Sequence, residues 1–160
     1  MVKNNKNLLI KLILLISIIA LISAFFIEFI LGHQPCNLCI LERIPYFLSI
    51  IVILLNYKFI EFEKFFILFL TIIFLFGTVL SLYHLGIEQG LIQESLVCDL
   101  KSGSNLLSKE EILKQLQEKS VSCKDVTFKI FGLSLTSYNI LISILITFSA
   151  GKIYFNYEKN

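Results

Sequence analysis

Two stretches without a single charged residue, 65–87 and 130–151, run for 23 and 22 positions. As helices, each is long enough to cross the roughly 30 Å hydrocarbon core of a bilayer, which takes about 20 residues. A charge at mid-bilayer costs about 2.5 to 3.5 kcal/mol, so the remaining Asp, Glu, Lys and Arg mark the other boundaries. Residues 12–27 are also uncharged. With Leu8 to Ile10 before Lys11, and Phe29 to Leu31 after Glu28, they predict a first span of about 8–31. Residues 44–57 supply only 14 uncharged positions, about 21 Å of helix at 1.5 Å per residue. A second span of about 39–57 must therefore begin near Cys39, which sets Glu42 and Arg43 in its first turn at the membrane boundary. Pro45 sits awkwardly there, because it removes the amide that would bond the Leu41 carbonyl. A kink, or a later helix start, is expected.

The reading is an all-α membrane protein: one domain over 1–160 forming a four-transmembrane-helix bundle, its third and fourth spans at about 65–87 and 130–151. The composition agrees, with 56% hydrophobic and 16% charged residues where soluble domains carry about 25% charge. A net charge of +2 gives no reason to expect a nucleic-acid partner, and membrane lipid is the expected surrounding. The first span is too long for a signal-peptide core and lacks a small-residue cleavage site after it, so it is expected to be retained. Four spans put both termini and the 58–64 loop on one side, and loops 32–38 and 88–129 on the other. Lys and Arg divide evenly between the sides. The orientation therefore rests on Lys3, Lys6 and Lys11, which have no acid among them and favour a cytoplasmic start.

All four cysteines then fall in the two outward-facing loops, in a compartment where disulfides persist. Cys36 and Cys39 form a C-x-x-C after Pro35, at a helix start, with the two thiols within disulfide reach. Spaced three and four apart, Cys36, Cys39 and Arg43 are expected on one helical face, where helix amides and the guanidinium would stabilise a Cys39 thiolate. Glu42 lies off that face and reads as structural. Cys98 and Cys123, 25 positions apart, lack the second C-x-x-C of a zinc ribbon and are either a second redox pair or a loop staple. No metal site is expected. His84, near the outer end of the third span, is either a polar boundary residue or part of a binding site. In the outer loop, Ser108 to Glu111 reads as a capping box opening a short helix over 109–119, with Leu107 stapled onto Ile112.

The run Pro35-Cys36-Asn37-Leu38-Cys39-Ile40-Leu41-Glu42-Arg43, joined to a Cys pair between the third and fourth spans, resembles the bacterial disulfide bond formation protein B (DsbB) family. The resemblance extends over essentially the whole chain, through Tyr83-His84 and Phe131-Gly132-Leu133. It implies a thiol:quinone oxidoreductase of the bacterial inner membrane whose cysteines face the periplasm. It also implies disulfides Cys36 with Cys39 and Cys98 with Cys123, and catalysis by all four cysteines. The implied cofactor is a quinone, ubiquinone or menaquinone, held by Arg43 and His84. The implied partner is a periplasmic thioredoxin-fold dithiol oxidase of the DsbA-like kind. The competing reading is a non-enzymatic four-span scaffold with structural disulfides, which would need no Arg beside a C-x-x-C. A small transporter is disfavoured because no ionisable residue lies mid-span.

Overall fold

The computed structural model describes residues 2–93, 98, 122–124 and 128–158. The expected 109–119 helix and its capping box lie outside the described residues. Helix α1 spans Val2–Phe29, α2 Asn37–Leu41, α3 Ile44–Lys58, α4 Glu63–Glu88 and α5 Leu135–Glu158. A 3₁₀ turn, Ile60–Phe62, links α3 to α4, and a hairpin of β1 (Lys129–Ile130) and β2 (Leu133–Ser134) precedes α5. Four helical stretches are long and apolar enough to cross a membrane: Lys6–Phe29, Asn37–Lys58, Ile60–Glu88 and Leu135–Phe155. The protein is an all-α four-helix membrane bundle, and α2 with α3 together make its second span.

The bundle forms because each helix carries one inward stripe. On α1, Ile10, Ile13 and Ser17 are buried and Ala20, Ala24 and Ile27 half-buried, the three-to-four spacing of one helix face. Leu12, Leu15, Ile19, Ile22 and Phe26 point outward. In a soluble protein such a surface would be an aggregation liability, whereas in a bilayer it meets hydrocarbon. The core is built on Ile53, Ile67, Leu70 and Ile146 around Phe74, which is completely buried. Helix α4 is central, with its most extensive packing against α5 and further packing against α3, while α1 lies mainly on α3. At one end Lys6 Nζ meets Glu63 Oε2 at 2.6 Å, joining the start of α1 to the start of α4.

The break between α2 and α3 follows from Pro45, which occupies the first turn of α3, where a missing amide costs nothing. The Arg43 amide closes a tight turn on the Ile40 carbonyl at 3.1 Å, and α3 restarts at Ile44. A Cβ on Gly77 would sit 3.1 Å from Pro45 Cγ, so the glycine lets α4 approach the proline closely. The fourth span begins at Leu135 rather than near 130. Its apolar run includes residues that pair as a hairpin, Lys129 opposite Ser134 and Ile130 opposite Leu133, turned by Phe131 (φ 49°) and Gly132 (φ 81°).

Candidate functional site

The described cysteines gather at one end of the bundle. Cys36, Leu38, Ile87, Cys98 and Cys123 form a buried cluster separate from the main core. Cys98 and Cys123 are joined by a disulfide, and Asn37 Nδ2 donates to the Cys98 carbonyl at 3.1 Å, which seats this loop on the start of α2. Cys36 and Cys39 are unbonded thiols, not the disulfide expected of the resting protein. Their sulfurs lie 2.7 Å apart, so closing the bond takes loss of two protons and two electrons and little movement.

The polarity of this pair differs from the expectation. Cys36 is the N-cap of α2, and its Sγ accepts the Cys39 amide at 3.2 Å, so the helix amide supports Cys36 rather than Cys39. The Cys36 thiol is pulled down to about 5, chiefly by the hydrogen bond with the Cys39 thiol; burial opposes this and His84 reinforces it. Arg43 lies beyond the end of α2, in the turn before α3, and lines the same cavity as Cys36 and Cys39. The guanidinium turns to α1, where Nη1 meets Glu28 Oε2 at 2.5 Å and the group lies 5.3 Å from the centre of the Phe25 ring.

His84 is 1% exposed and stands between two carboxylates. Its Nδ1 is 2.8 Å from Glu42 Oε1 and 3.2 Å from Thr136 Oγ1. Its Nε2 is 3.5 Å from Cys36 Sγ and 3.8 Å from Glu88 Oε1. The Thr136 hydroxyl donates to Glu88 at 2.5 Å. Asn139 Nδ2 donates to Glu42 Oε2 at 2.9 Å and to Ser81 Oγ at 2.8 Å, and Tyr46 Oη donates to Asn139 Oδ1. Glu42 was expected to be structural and off the site; it is instead the imidazole's nearest acid. The signal was present in the sequence, since a carboxylate at a membrane boundary needs a partner when buried. Asn139 and Thr136 were not found, because nothing in the sequence sets residues of α5 beside α4; Glu88 was missed although its four-residue spacing from His84 on α4 was readable.

A cavity of about 380 Å³ opens here, and Cys36, Cys39, Glu42, Arg43, His84 and Cys123 all line it. Cys98 stands outside the lining, tied to it by its disulfide. Along α1 the wall runs from Ile16 to Ile27, about 16 Å at 1.5 Å per residue. The side chains of Ala20, Ser23 and Ala24 in that wall are small enough to leave room. Cys36, Cys39 and His84 also bring three donor atoms within 4.8 Å of one another, one short of a closed zinc site. The two nearest carboxylates are already engaged with Asn139 and Thr136.

A membrane-embedded bundle that collects a dithiol, a disulfide and an apolar cavity at one end defines a class of dithiol–disulfide membrane proteins. Residues 6–152 match the family model described as Disulfide bond formation protein DsbB, and the chain belongs to that family. It is also 32% identical, over 99% of its length and 94% of the other's, to the uncharacterized protein RP370 of Rickettsia prowazekii (strain Madrid E). Membership makes it a multi-pass membrane protein of disulfide bond formation, with oxidoreductase activity in that process.

Proposed function

We propose that this protein is a thiol:quinone oxidoreductase of the bacterial cytoplasmic (inner) membrane. It reoxidises a periplasmic, DsbA-like dithiol oxidase of thioredoxin fold and passes the electrons to ubiquinone or menaquinone, so supporting disulfide formation in exported proteins. One observation carries the reading: a single cavity is lined at its polar end by the Cys36–Cys39 pair, Arg43 and His84, and continues as an apolar groove along α1. That shape suits a flat polar ring with an isoprenoid tail. Arg43 and His84 are the residues that would hold the ring, and the quinone supplies a two-electron, two-proton acceptor dissolved in the lipid.

In the proposed sequence the partner's thiolate attacks Cys98 and Cys123 leaves. Cys123, on the same cavity as Cys36, then attacks Cys36, and Cys39 leaves as a thiolate facing the groove. Exchange of this kind needs a thiolate attacker and a good leaving thiol, and Cys36, buried with its thiol lowered to about 5, can serve as the leaving sulfur when its bond to Cys123 is broken. The scaffold reading accounts for the Cys98–Cys123 disulfide but gives no reason for a dithiol beside an imidazole and a cavity. The test is to supply the purified protein with a reduced thioredoxin-fold dithiol protein and a soluble quinone analogue. One quinone should be reduced per dithiol oxidised; no reduction, or zinc retained stoichiometrically on Cys36 and Cys39, contradicts the proposal.

A further inference from the structure

Cys36 is 4% exposed, packed among Leu38, Ile87, Cys98 and Cys123. A thiolate in such surroundings is unfavourable unless groups on the protein stabilise it, yet exchange with Cys123 needs Cys36 to be attacked, to leave and to attack again. Besides the Cys39 thiol at 2.7 Å, one hydrogen bond comes from the Cys39 amide at the start of α2. The other comes from an imidazole whose orientation is fixed. Glu42 Oε1 holds His84 Nδ1 at 2.8 Å, Asn139 holds the second oxygen of Glu42, and Nε2 is left 3.5 Å from Cys36 Sγ. Thiol, imidazole and carboxylate in that order, with the base oriented by a third group, is the arrangement that activates a nucleophile elsewhere.

We propose that Glu42, His84 and Cys36 form a carboxylate–imidazole–thiol relay in which His84 is the acid and base for Cys36 and Glu42 is its positioning residue. The relay's place in turnover rests on the proposed function. Once the partner's second thiolate has attacked the mixed disulfide, forming the partner's disulfide and releasing Cys98, the Cys98 thiolate attacks Cys123 of the Cys36–Cys123 bond, and that bond's electron pair leaves on Cys36 Sγ beside the His84 N–H. Where Cys36 is a thiol, His84 Nε2 takes its proton. The Cys36 thiolate is then ready to join Cys39 in a new S–S bond; a quinone bound here would supply the two-electron, two-proton acceptor, with His84 holding one of those protons and the Cys39 thiol or solvent the other.

The charged and titratable groups around this relay come from every packed element. Helix α2 presents Cys39, and Glu42 follows it; α3 presents Tyr46; α4 presents Glu88, 3.8 Å from Nε2 and bonded to Thr136. His33 before α2, Tyr138 of α5, and Arg43 with its partner Glu28 complete the surroundings. Of these, Glu42 is in direct contact with Nδ1, so its substitution should be felt at Cys36.

The experiment uses full-length protein carrying Cys39→Ser, with the Cys98–Cys123 disulfide intact, so that Cys36 is the one free thiol. Its ionisation is followed by thiolate ultraviolet absorbance against pH, without partner or quinone. His84→Gln should raise the midpoint by at least about one pH unit, a tenfold loss of thiolate on the rising limb. Glu42→Gln should raise it by less, and Glu42→Asp should recover most of that loss. Superimposable titrations in all four proteins overturn the relay. A second arm needs no change at His84 or Glu42. In the Cys39→Ser protein labelled with ¹⁵N-histidine, capping Cys36 with methyl methanethiosulfonate must move the His84 resonances, and unmoved resonances overturn the relay even if the variants fail to fold. Neither arm reads quinone reduction, so loss of the relay and loss of the electron route are separate results.

Discussion

Arg43 Nη1 lies 2.5 Å from Glu28 Oε2, an ion pair that ties the break between α2 and α3 to the C-terminal end of α1 and sets the guanidinium on the cavity wall. The pair is partly exposed, so its own contribution to stability is small. What it provides is position: without Glu28 the arginine is a flexible cation at a membrane boundary.

Arg43→Ala should raise the apparent quinone KM by at least about tenfold, or about 1.4 kcal/mol if KM tracks binding. Arg43→Lys should be intermediate, because a point charge keeps attraction and loses the planar donor geometry. Glu28→Gln should also be intermediate, since the charge remains and its anchor is lost. Steady-state quinone kinetics check all three; an unchanged KM in Arg43→Ala moves the ring site away from Arg43.

The pH dependence of Cys36 follows from its lowered value of about 5, set first by the hydrogen bond with the Cys39 thiol. A lowered value means the thiolate is present above about pH 5 and lost as pH falls through it. In the dithiol protein, alkylation of Cys36 should therefore be nearly flat between about pH 6 and 8, where an ordinary thiol gains about a hundredfold. Peptide mass spectrometry after short iodoacetamide pulses gives the rate at each cysteine. A tenfold rise per pH unit over that range contradicts the assignment.

The four spans were legible because a bilayer turns charge placement into helix boundaries, and Lys11, Glu28, Lys64 and Glu88 fall where that argument needs them. The C-x-x-C and Arg43 were legible as a motif. The Arg43–Glu28 pair was not, because it depends on how α1 packs beside the break that Pro45 makes. Glu42 was misread because its partner, His84, lies on another helix. Asn139 and Thr136 depend on how α5 packs against α4, which local pattern does not encode. The hairpin before α5 was hidden inside an uncharged run, where Phe131 and Gly132 carried the turn signal and the absence of charge outweighed it.

Orientation has a direct test in two strongly exposed positions between the spans. Phe131, at the hairpin tip, is 98% exposed and Ile60, between α3 and α4, is 71% exposed. In a background without the native cysteines, Phe131→Cys should react with a membrane-impermeant maleimide in cells whose outer membrane alone is opened, and Ile60→Cys only after the inner membrane is breached. The reverse pattern would place the native thiols in the cytoplasm and remove the oxidising compartment.

The two cysteine pairs should separate by function. Cys98→Ser removes the sulfur the partner attacks and leaves the Cys36–Cys39 pair on its cavity. It should abolish partner oxidation, while quinone still reoxidises Cys36 and Cys39 after chemical reduction. Cys39→Ala should abolish quinone reduction and still trap a mixed disulfide at Cys98. Trapping gels and quinone absorbance check both; wild-type partner turnover in either variant contradicts the electron path.

The central claim is that the Cys36–Cys39 dithiol delivers its electrons directly to a quinone in the adjoining cavity, and a single-turnover measurement without any partner tests it. Protein with Cys98→Ser and Cys123→Ser, reduced, freed of reductant and held under anaerobic conditions, is mixed with one equivalent of quinone analogue. Quinone loss and free thiol are then followed together. The account predicts one quinol formed per protein as both thiols disappear, with peptide mapping finding a Cys36–Cys39 disulfide. Quinone that stays oxidised beside two persisting thiols in a folded protein would contradict it.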